Sequence, residues 1–389
     1  MCDVVVVGGG MVGAACAFYA ARAGLDVVVV DRGPVAGGTT GAGEGNILVS
    51  DKPPGPELDL ALLSGRLWRE VAAESFGRAI EYEPKGGLVV ARSPRDLDAL
   101  RALADEQRQC GVHATDVPAD ALGSLEPHLA RGLAGGVFYP QDAQVQPALA
   151  AAHLIRAARA LGARLRTGEV VTDVLRSSDG AVRGVKTSRG ELHAASVVNA
   201  AGVWGGEMAA LAGVALPVLP RRGFILVTEP LPRLIRHKVY AADYVANVAS
   251  GSAALQTSPV VEGTASGPVL IGASRELVGF DRSVSLAVLR RLAAQAIGLF
   301  PALSHVNAMR AYVGFRPYLP DHLPAIGADP RVPGLVHACG HEGAGIGLAP
   351  ATGRLVAQVL LGSATDLDLT PYRPDRFAAA PAGAEVETC

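Results

Sequence analysis

The first thirty residues constrain the fold of this chain more than any other stretch. Asp3 to Val7 is a short, β-branched run of the kind that forms a buried parallel strand. Met11 to Ala23 has the composition of a helix, and Gly24 ends it. A second apolar strand, Asp26 to Val30, follows at once and closes with Asp31. The sequence therefore predicts one compact βαβ unit at the N-terminus.

Three glycines occupy the turn between the first strand and the helix, in the spacing Gly8-x-Gly10-x-x-Gly13. The first permits a tight turn, the second lets the backbone approach a pyrophosphate, and the third lets the helix pack on the strand. Free N–H groups at the helix start then face the phosphates, and Asp31 can accept hydrogen bonds from ribose hydroxyls. This combination predicts a dinucleotide site.

The glycine fingerprint does not distinguish NAD from FAD. A second loop of small residues, Gly37 to Ile47 (GGTTGAGEGNI), follows the βαβ unit directly. Such a loop leaves clearance for a cofactor that extends beyond its pyrophosphate, as a flavin does, and it favours FAD.

Size, charge and cysteine usage exclude several other classes of protein. The 389 residues are 49% apolar, which is enough for two lobes, and the net charge is −2 with 5% aromatics. Nucleic acid and anionic membrane are therefore not expected partners. The five cysteines are odd in number and lack C-x-x-C spacing, so we expect no metal or disulfide framework. Without a signal peptide or a long apolar span, we expect a cytoplasmic protein.

Further along the chain, parallel αβ patterns are interrupted by β-rich stretches. We predict an α/β protein with a Rossmann-like nucleotide lobe and a discontinuous second lobe (α+β) built on an antiparallel sheet. The predicted helices span Leu58–Phe76, Pro94–Gly111, Pro147–Leu161 and Val284–Leu299. The predicted domains are 1–84, 145–218 and 314–372 for the nucleotide lobe, 85–144 and 219–313 for the substrate lobe, and 373–389 for a flexible tail.

Six motifs of this chain resemble the D-amino-acid oxidase superfamily of flavoproteins, which includes glycine oxidase and sarcosine oxidase. They occur in the family's order and cover nearly the whole chain. The motifs are the N-terminal fingerprint with Asp31, the Thr39-Thr40 loop, VVNAAGVW, PRRGFILVTEP, GFRPYLPDHLPAIG and GHEGAGIGLAPATG. The last motif is similar to that of the FAD subunits of hydrogen cyanide synthase, opine oxidases and D-hydroxyproline dehydrogenase.

The resemblance implies non-covalent FAD between the two lobes. It also implies hydride transfer from a carbon bearing nitrogen to flavin N5, which leaves an imine that water hydrolyses. Alternatives remain at this point: a subunit that passes electrons to partner chains in a hetero-oligomer, or a 2-hydroxy-acid oxidoreductase on the same fold. The substrate expected is an amino acid or an N-substituted amino acid, and a homo-oligomer is possible as well.

By position, the resemblance implies cofactor contacts from the two glycine-rich regions and from the loops that follow the predicted strands. The implied cofactor-binding residues are Gly8, Gly10, Met11, Val12, Gly13, Asp31, Arg32, Gly38, Thr39, Thr40, Gly45, Asn46, Ile47, Val171, Ala200, Ala201, Gly202, Trp204, Gly340, Gly343, Ala344, Gly345 and Ile346.

The second glycine-rich helix start, from Gly340 to Leu348, is expected to meet the far end of the same cofactor. Pro350 suits the first turn of the helix that follows. Backbone N–H groups and the positive helix end would then lie against the electron-rich pyrimidine edge of the flavin.

Arg316, which precedes Pro317, is expected to project from a strand end and to bind a substrate carboxylate, with a structural pair to Asp321 as the alternative. His341 is interpreted either as a catalytic acid–base group or as an ordinary hydrogen-bonding residue. Glu342 and Glu44 are expected either to recognise a cationic amine or to form salt bridges.

Three further residues keep two interpretations each. Tyr240 and Tyr244 either contact substrate or belong to the core. Arg222 either approaches the flavin or forms a salt bridge between the lobes. Cys339 is not expected to attach FAD covalently.

Overall fold

The computed structural model of the chain describes residues 1–244 and 251–377. Its strands, numbered along the chain, include five that form the parallel centre of the nucleotide lobe and eight that form the sheet of the second lobe. They are β1 Cys2–Val7, β2 Val27–Asp31, β3 Asn46–Ile47, β4 Gly87–Ala91, β5 Thr115–Pro118, β6 Gly135–Tyr139, β7 Ala143–Gln144, β8 Arg164–Thr167, β9 Val171–Arg176, β10 Val182–Thr187, β11 Gly190–Asn199, β12 Leu219–Thr228, β13 Lys238–Ala241, β14 Gln256–Gly263, β15 Val269–Arg275, β16 Ala308–Tyr318, β17 Ala325–Ala328 and β18 Leu335–Cys339.

The helices within the described residues are numbered in the same way. They are α1 Met11–Arg22, α2 Pro56–Val71, α3 Pro94–Gln109, α4 Leu122–Leu125, α5 Pro147–Ala160, α6 Gly205–Leu211, α7 Leu286–Leu299 and α8 Gly345–Leu360. A π-helical turn, Ala72–Phe76, extends α2, and short 3₁₀ turns lie at Thr39–Ala42, Gly202–Trp204, Pro301–His305, Thr370–Tyr372 and Pro374–Phe377.

The first sheet has the strand order β17-β18-β11-β1-β2-β8, with β10 and β9 added beside β11. Strands β18, β11, β1, β2 and β8 run parallel to one another. Strand β1 is buried on both faces, because Val4 and Val6 pack among the helices of one side while Val5 and Val7 pack against the other. The predicted βαβ unit is present, with its second strand one residue later than expected.

The second sheet has the order β16-β12-β15-β14-β13-β4-β6-β5. Its neighbours pair antiparallel, as the sequence predicts, except that β13 and β4 run parallel. Helix α7 covers this sheet, and Leu292, Ala296 and Leu299 pack among its buried side chains.

The strands of the first sheet fall within the predicted nucleotide-lobe ranges, and those of the second fall within the substrate-lobe ranges, except that β16 runs on to Tyr318. The predicted domain boundaries remain a prediction. Most of the tail predicted for 373–389 lies outside the described residues.

Two helices from opposite ends of the chain pack together at backbone distance. A methyl group placed on Gly353 of α8 would lie 2.6 Å from the carbonyl of Ala15 in α1. Glycine at this position therefore lets the two helices approach more closely than any other residue would. Within the described residues, no helix combines the length and the apolar character that crossing a bilayer requires.

Candidate active site

A cavity of about 580 Å³ lies between the two sheets. Its floor is the carboxyl edge of the first sheet, where β1, β2, β11 and β18 end close together. Open α/β sheets bind their ligands at this edge. The opposite wall comes from the second sheet, through Gly223, Ile225 and the segment from Gly314 to Pro317.

The first glycine-rich turn forms one end of this floor. Gly8 has φ +117°, and a methyl group on it would lie 2.3 Å from the carbonyl oxygen of Ala200. Gly10 faces the cavity, where the only heavy atom near such a methyl group is Thr40 Oγ1, at 3.1 Å. Thr40 Oγ1 also accepts a hydrogen bond from Met11 N at 2.9 Å. The turn thus presents bare backbone to the cavity at the start of α1.

Asp31 lines the cavity beside the first glycine-rich turn. Its carboxylate accepts hydrogen bonds from Gly9 N at 2.6 Å and Gly33 N at 2.7 Å, which hold it beside the glycine-rich turn. The neighbouring Arg32 stacks its guanidinium on the Trp204 ring, with its central carbon 3.5 Å from the ring centroid. Phe280 stacks on the same Trp204 ring, with the two ring centroids 5.6 Å apart.

The second glycine-rich helix start lies beside the first. A methyl group on Gly345 would lie 4.0 Å from Val12 Cγ2. Both helices begin at the same edge of the first sheet, and the expectation that the two starts meet opposite ends of one cofactor stays a prediction. Gly343, Gly345 and Ile346 line the cavity there.

Pro350 lies inside α8, which begins at Gly345, and not in its first turn as predicted. Proline has no N–H, so the carbonyl of Ile346 loses its normal helical donor. Trp68 Nε1 donates to this carbonyl at 3.2 Å and to that of Gly347 at 3.0 Å. Ser64 Oγ also donates to Gly347 O at 2.6 Å. Side chains of α2 thereby donate to the carbonyl groups around Pro350 and hold α8 next to the cavity.

Most of the residues implied by the resemblance line the cavity. They are Gly8, Gly10, Met11, Val12, Asp31, Arg32, Gly38, Thr39, Thr40, Glu44, Asn46, Val171, Ala200, Ala201, Gly202, Trp204, Tyr244, Arg316, His341, Glu342, Gly343, Gly345 and Ile346. Six do not: Gly13, Gly45, Ile47, Tyr240, Gly340 and Ala344.

Close packing explains most of these six exceptions. Methyl groups on Gly13, Gly45 and Gly340 would meet Gly8 O at 1.9 Å, Val145 O at 1.8 Å and a Leu319 methyl at 2.2 Å. Ile47 belongs to the buried strand β3, and Ala344 is the residue before α8. Tyr240 is fully buried, and its hydroxyl contacts Ser50 Oγ beneath the cavity wall. Tyr240 is therefore a core residue, and Tyr244 alone of the two tyrosines reaches the cavity.

Arg316 projects into the cavity from β16. Its Nη1 donates to Ser274 O at 2.8 Å, and its side chain passes over Gly223, where a methyl group would lie 2.1 Å from Nη1. Burial and the nearby charge of Arg275 lower its pKa from the usual value. Among the described residues, no carboxylate lies within 4.0 Å of this guanidinium. Asp321, the partner expected in the alternative interpretation, pairs instead with Arg376 at 2.7 Å.

Glu342 lines the cavity but its carboxylate is already paired. Oε1 accepts from Arg221 Nη1 at 2.7 Å, and Oε2 lies 2.9 Å from His322 Nδ1. Burial alone would raise the pKa of Glu342, but the His322 hydrogen bond and the charges of Arg275 and Arg221 hold it below the usual value. This arrangement matches the salt-bridge interpretation rather than a free amine-binding group.

Glu44 is buried beside a lysine but keeps one oxygen without a partner. Oε2 accepts from Asn46 Nδ2 at 3.2 Å and lies 3.9 Å from Lys238 Nζ, which is bonded more closely to Glu262 at 2.5 Å. Oε1 has no hydrogen-bond partner among the described residues. Burial, with the Glu262 charge as a smaller cause, raises the pKa of Glu44 against the opposing effect of Lys238.

His341 is 4% exposed, and its Nε2 lies 2.9 Å from Thr352 Oγ1, which also bonds the carbonyl of Leu348 at 3.0 Å. Burial lowers the pKa of this imidazole to about 3. A ring that stays neutral at physiological pH and hydrogen-bonds to Thr352 of α8 matches the interpretation of His341 as an ordinary hydrogen-bonding residue.

Arg222 and Cys339 remain to be placed. Arg222 does not line the cavity; its Nε donates to Glu276 at 2.9 Å, and its Nη1 pairs with Asp281. Cys339 lines the cavity at the end of β18, is 1% exposed, and has a pKa raised by burial to about 12. A thiol in this state is a poor nucleophile.

Sequence reasoning missed several residues of the cavity wall. Phe315 lies next to Arg316 in the motif GFRPYLPDHLPAIG, which could have pointed to it. Its carbonyl accepts a hydrogen bond from Thr39 Oγ1 at 2.6 Å. The motif VVNAAGVW leads directly into α6, and this helix contributes three more residues to the cavity wall: Glu207, Met208 and Leu211. Arg282 comes from a segment of the second lobe without any local signature, and only the tertiary fold brings it to the cavity.

The residues present fit a flavin dinucleotide. Bare backbone at Gly8 and Gly10 suits a pyrophosphate, Asp31 suits a ribose, and an open floor leads to the start of α8. In the same cavity, Asn46 Oδ1 and Glu44 Oε1 are buried acceptors without partners in the described structure. Fold and site together define a dinucleotide-dependent protein whose reactive centre lies between its two lobes.

Comparisons with known proteins agree. The family described as DAO, FAD dependent oxidoreductase, matches residues 3–359. Hydrogen cyanide synthase subunit HcnC of Pseudomonas aeruginosa is 30% identical over 429 residues, covering 100% of this chain and 99% of that protein. Glycine oxidase of Geobacillus kaustophilus is 31% identical over 377 residues, covering 95% and 96%.

Solved structures give the same result. The crystal structure of glycine oxidase from Geobacillus kaustophilus has a TM-score of 0.88 at 30% identity, covering 96% of this chain and 98% of that one. Iminodiacetate oxidase from Chelativorans sp. BNC1 has a TM-score of 0.83 at 25% identity, covering 96% and 99%. The chain belongs to the DAO family of FAD-dependent oxidoreductases and is an enzyme of the amino-acid oxidase and dehydrogenase type.

Proposed function

We propose that this enzyme oxidises the C–N bond of an amino acid or an N-substituted amino acid. The single observation that carries the proposal is the Arg316 guanidinium, which faces the cavity without a carboxylate within 4.0 Å in the described structure. Leaving a charge inside a protein unpaired is costly, so a substrate carboxylate is the expected partner. The names of the similar structures, glycine oxidase and iminodiacetate oxidase, refer to amines that carry carboxylates.

A second group of the cavity suits the amine. Glu44 Oε1 is an unpartnered acceptor in the same cavity as Arg316. An amine N–H that donates to Glu44 while the carboxylate binds Arg316 holds the substrate at two points. Such anchoring would fix which C–H bond faces the cofactor.

FAD, when bound, would supply the acceptor for the hydride that leaves the carbon bearing nitrogen. The product of this oxidation is an imine, which water hydrolyses. The amine must be neutral when the hydride leaves, and the raised pKa of Glu44 is suited to a carboxyl group that shares a proton with a substrate amine. We assign no proton transfer to His341, because its pKa of about 3 makes it a weak base.

The direct test is anaerobic bleaching of the yellow FAD-loaded protein by amino acids, N-alkyl glycines and opines, with 2-hydroxy acids as the contrasting set. We expect bleaching by amino compounds only. In the variant Arg316→Gln, KM for the best substrate should rise at least about tenfold, because a charged hydrogen bond is lost. Arg310→Gln removes an exposed arginine from the same strand and should leave KM unchanged. An unchanged KM in flavin-loaded Arg316→Gln would refute the carboxylate role.

A second candidate function follows from the whole-length similarity to a protein named as a subunit, HcnC. In that case the chain would pass electrons to partner subunits instead of to oxygen. Oxygen consumption by the purified chain during substrate turnover would favour the stand-alone oxidase. Turnover with an artificial acceptor but not with oxygen would favour the hetero-oligomer. Non-covalent FAD and a cytoplasmic location remain predictions.

A further inference from the structure

Three arginines of the second sheet lie on neighbouring strands beside the cavity. Arg221 of β12 is directly opposite Arg316 of β16, and Arg275 ends β15, the neighbour of β12 on its other side. Gly223 lies between Arg316 and the end of β15. Because glycine has no side chain, the Arg316 guanidinium can pass over it, and the arginine side chains come close together. The result is a basic corner formed by Arg221, Arg275 and Arg316.

Carboxylates within the basic corner balance only part of its charge. Glu342 neutralises Arg221 through the contact of 2.7 Å and shares its other oxygen with His322. Arg275 is 4% exposed, yet within residues 1–244 and 251–377 no carboxylate lies within 4.0 Å of it or of Arg316. Two buried or cavity-facing guanidiniums thus remain without an anionic partner, which is unfavourable unless a ligand supplies one.

Arg275 does not line the cavity itself and lies behind Tyr244, which does. Its guanidinium carbon lies 5.2 Å from the centroid of the Tyr244 ring, and this ring lines the cavity. The charge of Arg275 is also felt by both neighbours that line the cavity, since it lowers the pKa values of Arg316 and of Glu342. Arg275 therefore lies next to the substrate wall, one side chain away from the group that we expect to bind a carboxylate.

We infer that the substrate carries two anionic groups, one held by Arg316 and the other attracted by the uncompensated charge of Arg275 behind the Tyr244 ring. The substrate class is an amine with two carboxylates, the second on the side chain or on the N-substituent. This inference rests on the proposed function for the role of the amine, but the preference for a dianion is independent of turnover. Glu342 does not supply the second anion, because Arg221 and His322 already occupy its oxygens.

The test begins with ligands that cannot react. Calorimetric binding to the FAD-loaded protein is measured for malonate, succinate and glutarate against propionate, butyrate and valerate. We expect at least one dicarboxylate to bind more than about tenfold more tightly than the monocarboxylate of equal length. In Arg275→Gln this preference should disappear, while monocarboxylate affinity stays within about threefold. Arg275→Lys should keep part of the preference, because the charge remains.

Arg310→Gln is the matched control, since Arg310 also lies over a tyrosine ring, Tyr312, at 5.6 Å but is exposed. The same comparison with reacting compounds sets iminodiacetate against sarcosine and aspartate against alanine in anaerobic bleaching. Equal binding of mono- and dicarboxylates by the unaltered protein, or a preference that survives in Arg275→Gln, would overturn the inference.

The two proposals fail in different ways. A dicarboxylate preference without bleaching by any amine would refute the proposed function and leave the dianion site standing. Bleaching by monocarboxylic amino acids, without any dicarboxylate preference, would refute the dianion site alone. If Arg275→Gln does not fold, the binding series on the unaltered protein still decides.

Discussion

Arg221 donates to Glu342 at 2.7 Å, and this buried contact joins the second sheet to the loop that begins the last helix. The Arg221 side chain is 0% exposed and that of Glu342 is 9% exposed. Glu342 has φ +46°, and its N–H donates to Pro317 O at 2.9 Å. This ion pair beside the cavity therefore joins the two lobes.

Removing one partner of this ion pair should destabilise the protein strongly. We expect Glu342→Ala to lower the free energy of unfolding by about 3–5 kcal/mol, because Arg221 would be left buried without its carboxylate. Urea denaturation at pH 7 measures this. The control, Glu74→Ala, removes an exposed partner of Arg22 and should change the same quantity by less than about 1 kcal/mol. Equal effects of the two substitutions would contradict the role of the buried pair.

Gly10 should be required for FAD binding rather than for folding. Its backbone, with φ −76° and ψ −174°, is accessible to any residue, so Gly10→Val does not strain the turn. The added side chain would project into the cavity next to Thr40 Oγ1. We expect FAD affinity to fall more than about tenfold, or about 1.4 kcal/mol, with unchanged circular dichroism.

The control for this substitution is Gly65→Val, in helix α2, where an added Cβ would meet no heavy atom of the described residues within 4 Å. Flavin absorbance per chain should stay at the level of the unaltered protein in this control. Full flavin occupancy in Gly10→Val would show that the cofactor does not pass this turn.

His341 should make the protein less stable in mild acid. Its folded pKa of about 3 is below the ordinary value of about 6.5, so the unfolded chain binds the proton first as the pH falls. Stability is then full above about pH 6.5 and is lost towards pH 3. Between pH 7 and pH 5 the loss from this residue should be about 2 kcal/mol.

The measurement is urea unfolding at both pH values for the unaltered protein and for His341→Gln, which can still hydrogen-bond Thr352. Only the difference between the two slopes reports on His341, because other groups titrate in both proteins. Identical slopes would mean that the imidazole is not buried in its neutral form.

Cys339 should be unreactive, and FAD should be released by acid precipitation. The pKa of its thiol is raised to about 12, and the side chain is 1% exposed, whereas Cys110 is exposed. Treatment with iodoacetamide at pH 8, followed by mass spectrometry of peptides, should show alkylation at Cys110 and not at Cys339. Flavin that stays with the precipitated chain, or early alkylation of Cys339, would contradict this prediction.

The local elements of the nucleotide lobe could be predicted because short-range patterns determine them. Strand β8 has the predicted bounds, Arg164–Thr167, and α5 differs from its prediction by one residue at its end. The N-terminal turn could be assigned because its three glycines stand at a fixed spacing within six residues, although the atom that crowds Gly8 belongs to the distant Ala200. The cofactor followed from the same turn together with the resemblance to a family.

The two alternatives for Glu342 and the two for Tyr240 could not be decided from the sequence. Both depend on partners far along the chain, namely Arg221 and Ser50, whose distance in sequence hides their contact. The error over Pro350 has the same origin. A proline inside a helix is expected to be unfavourable, and only the donors Trp68 and Ser64 on α2 make it tolerable.

By itself, the sequence determined the βαβ unit, the two glycine-rich helix starts, the flavin cofactor and the likeness to amino-acid oxidases, because these depend on residues close together or on motifs in order. The tertiary structure alone decided that both helix starts lie at one edge of the first sheet, that Glu342 is neutralised, and that Arg275 lies near Arg316 behind the cavity wall. Charge compensation is the physical reason: whether a buried ion is paired depends on which distant strand packs beside it, and no local pattern records that neighbour.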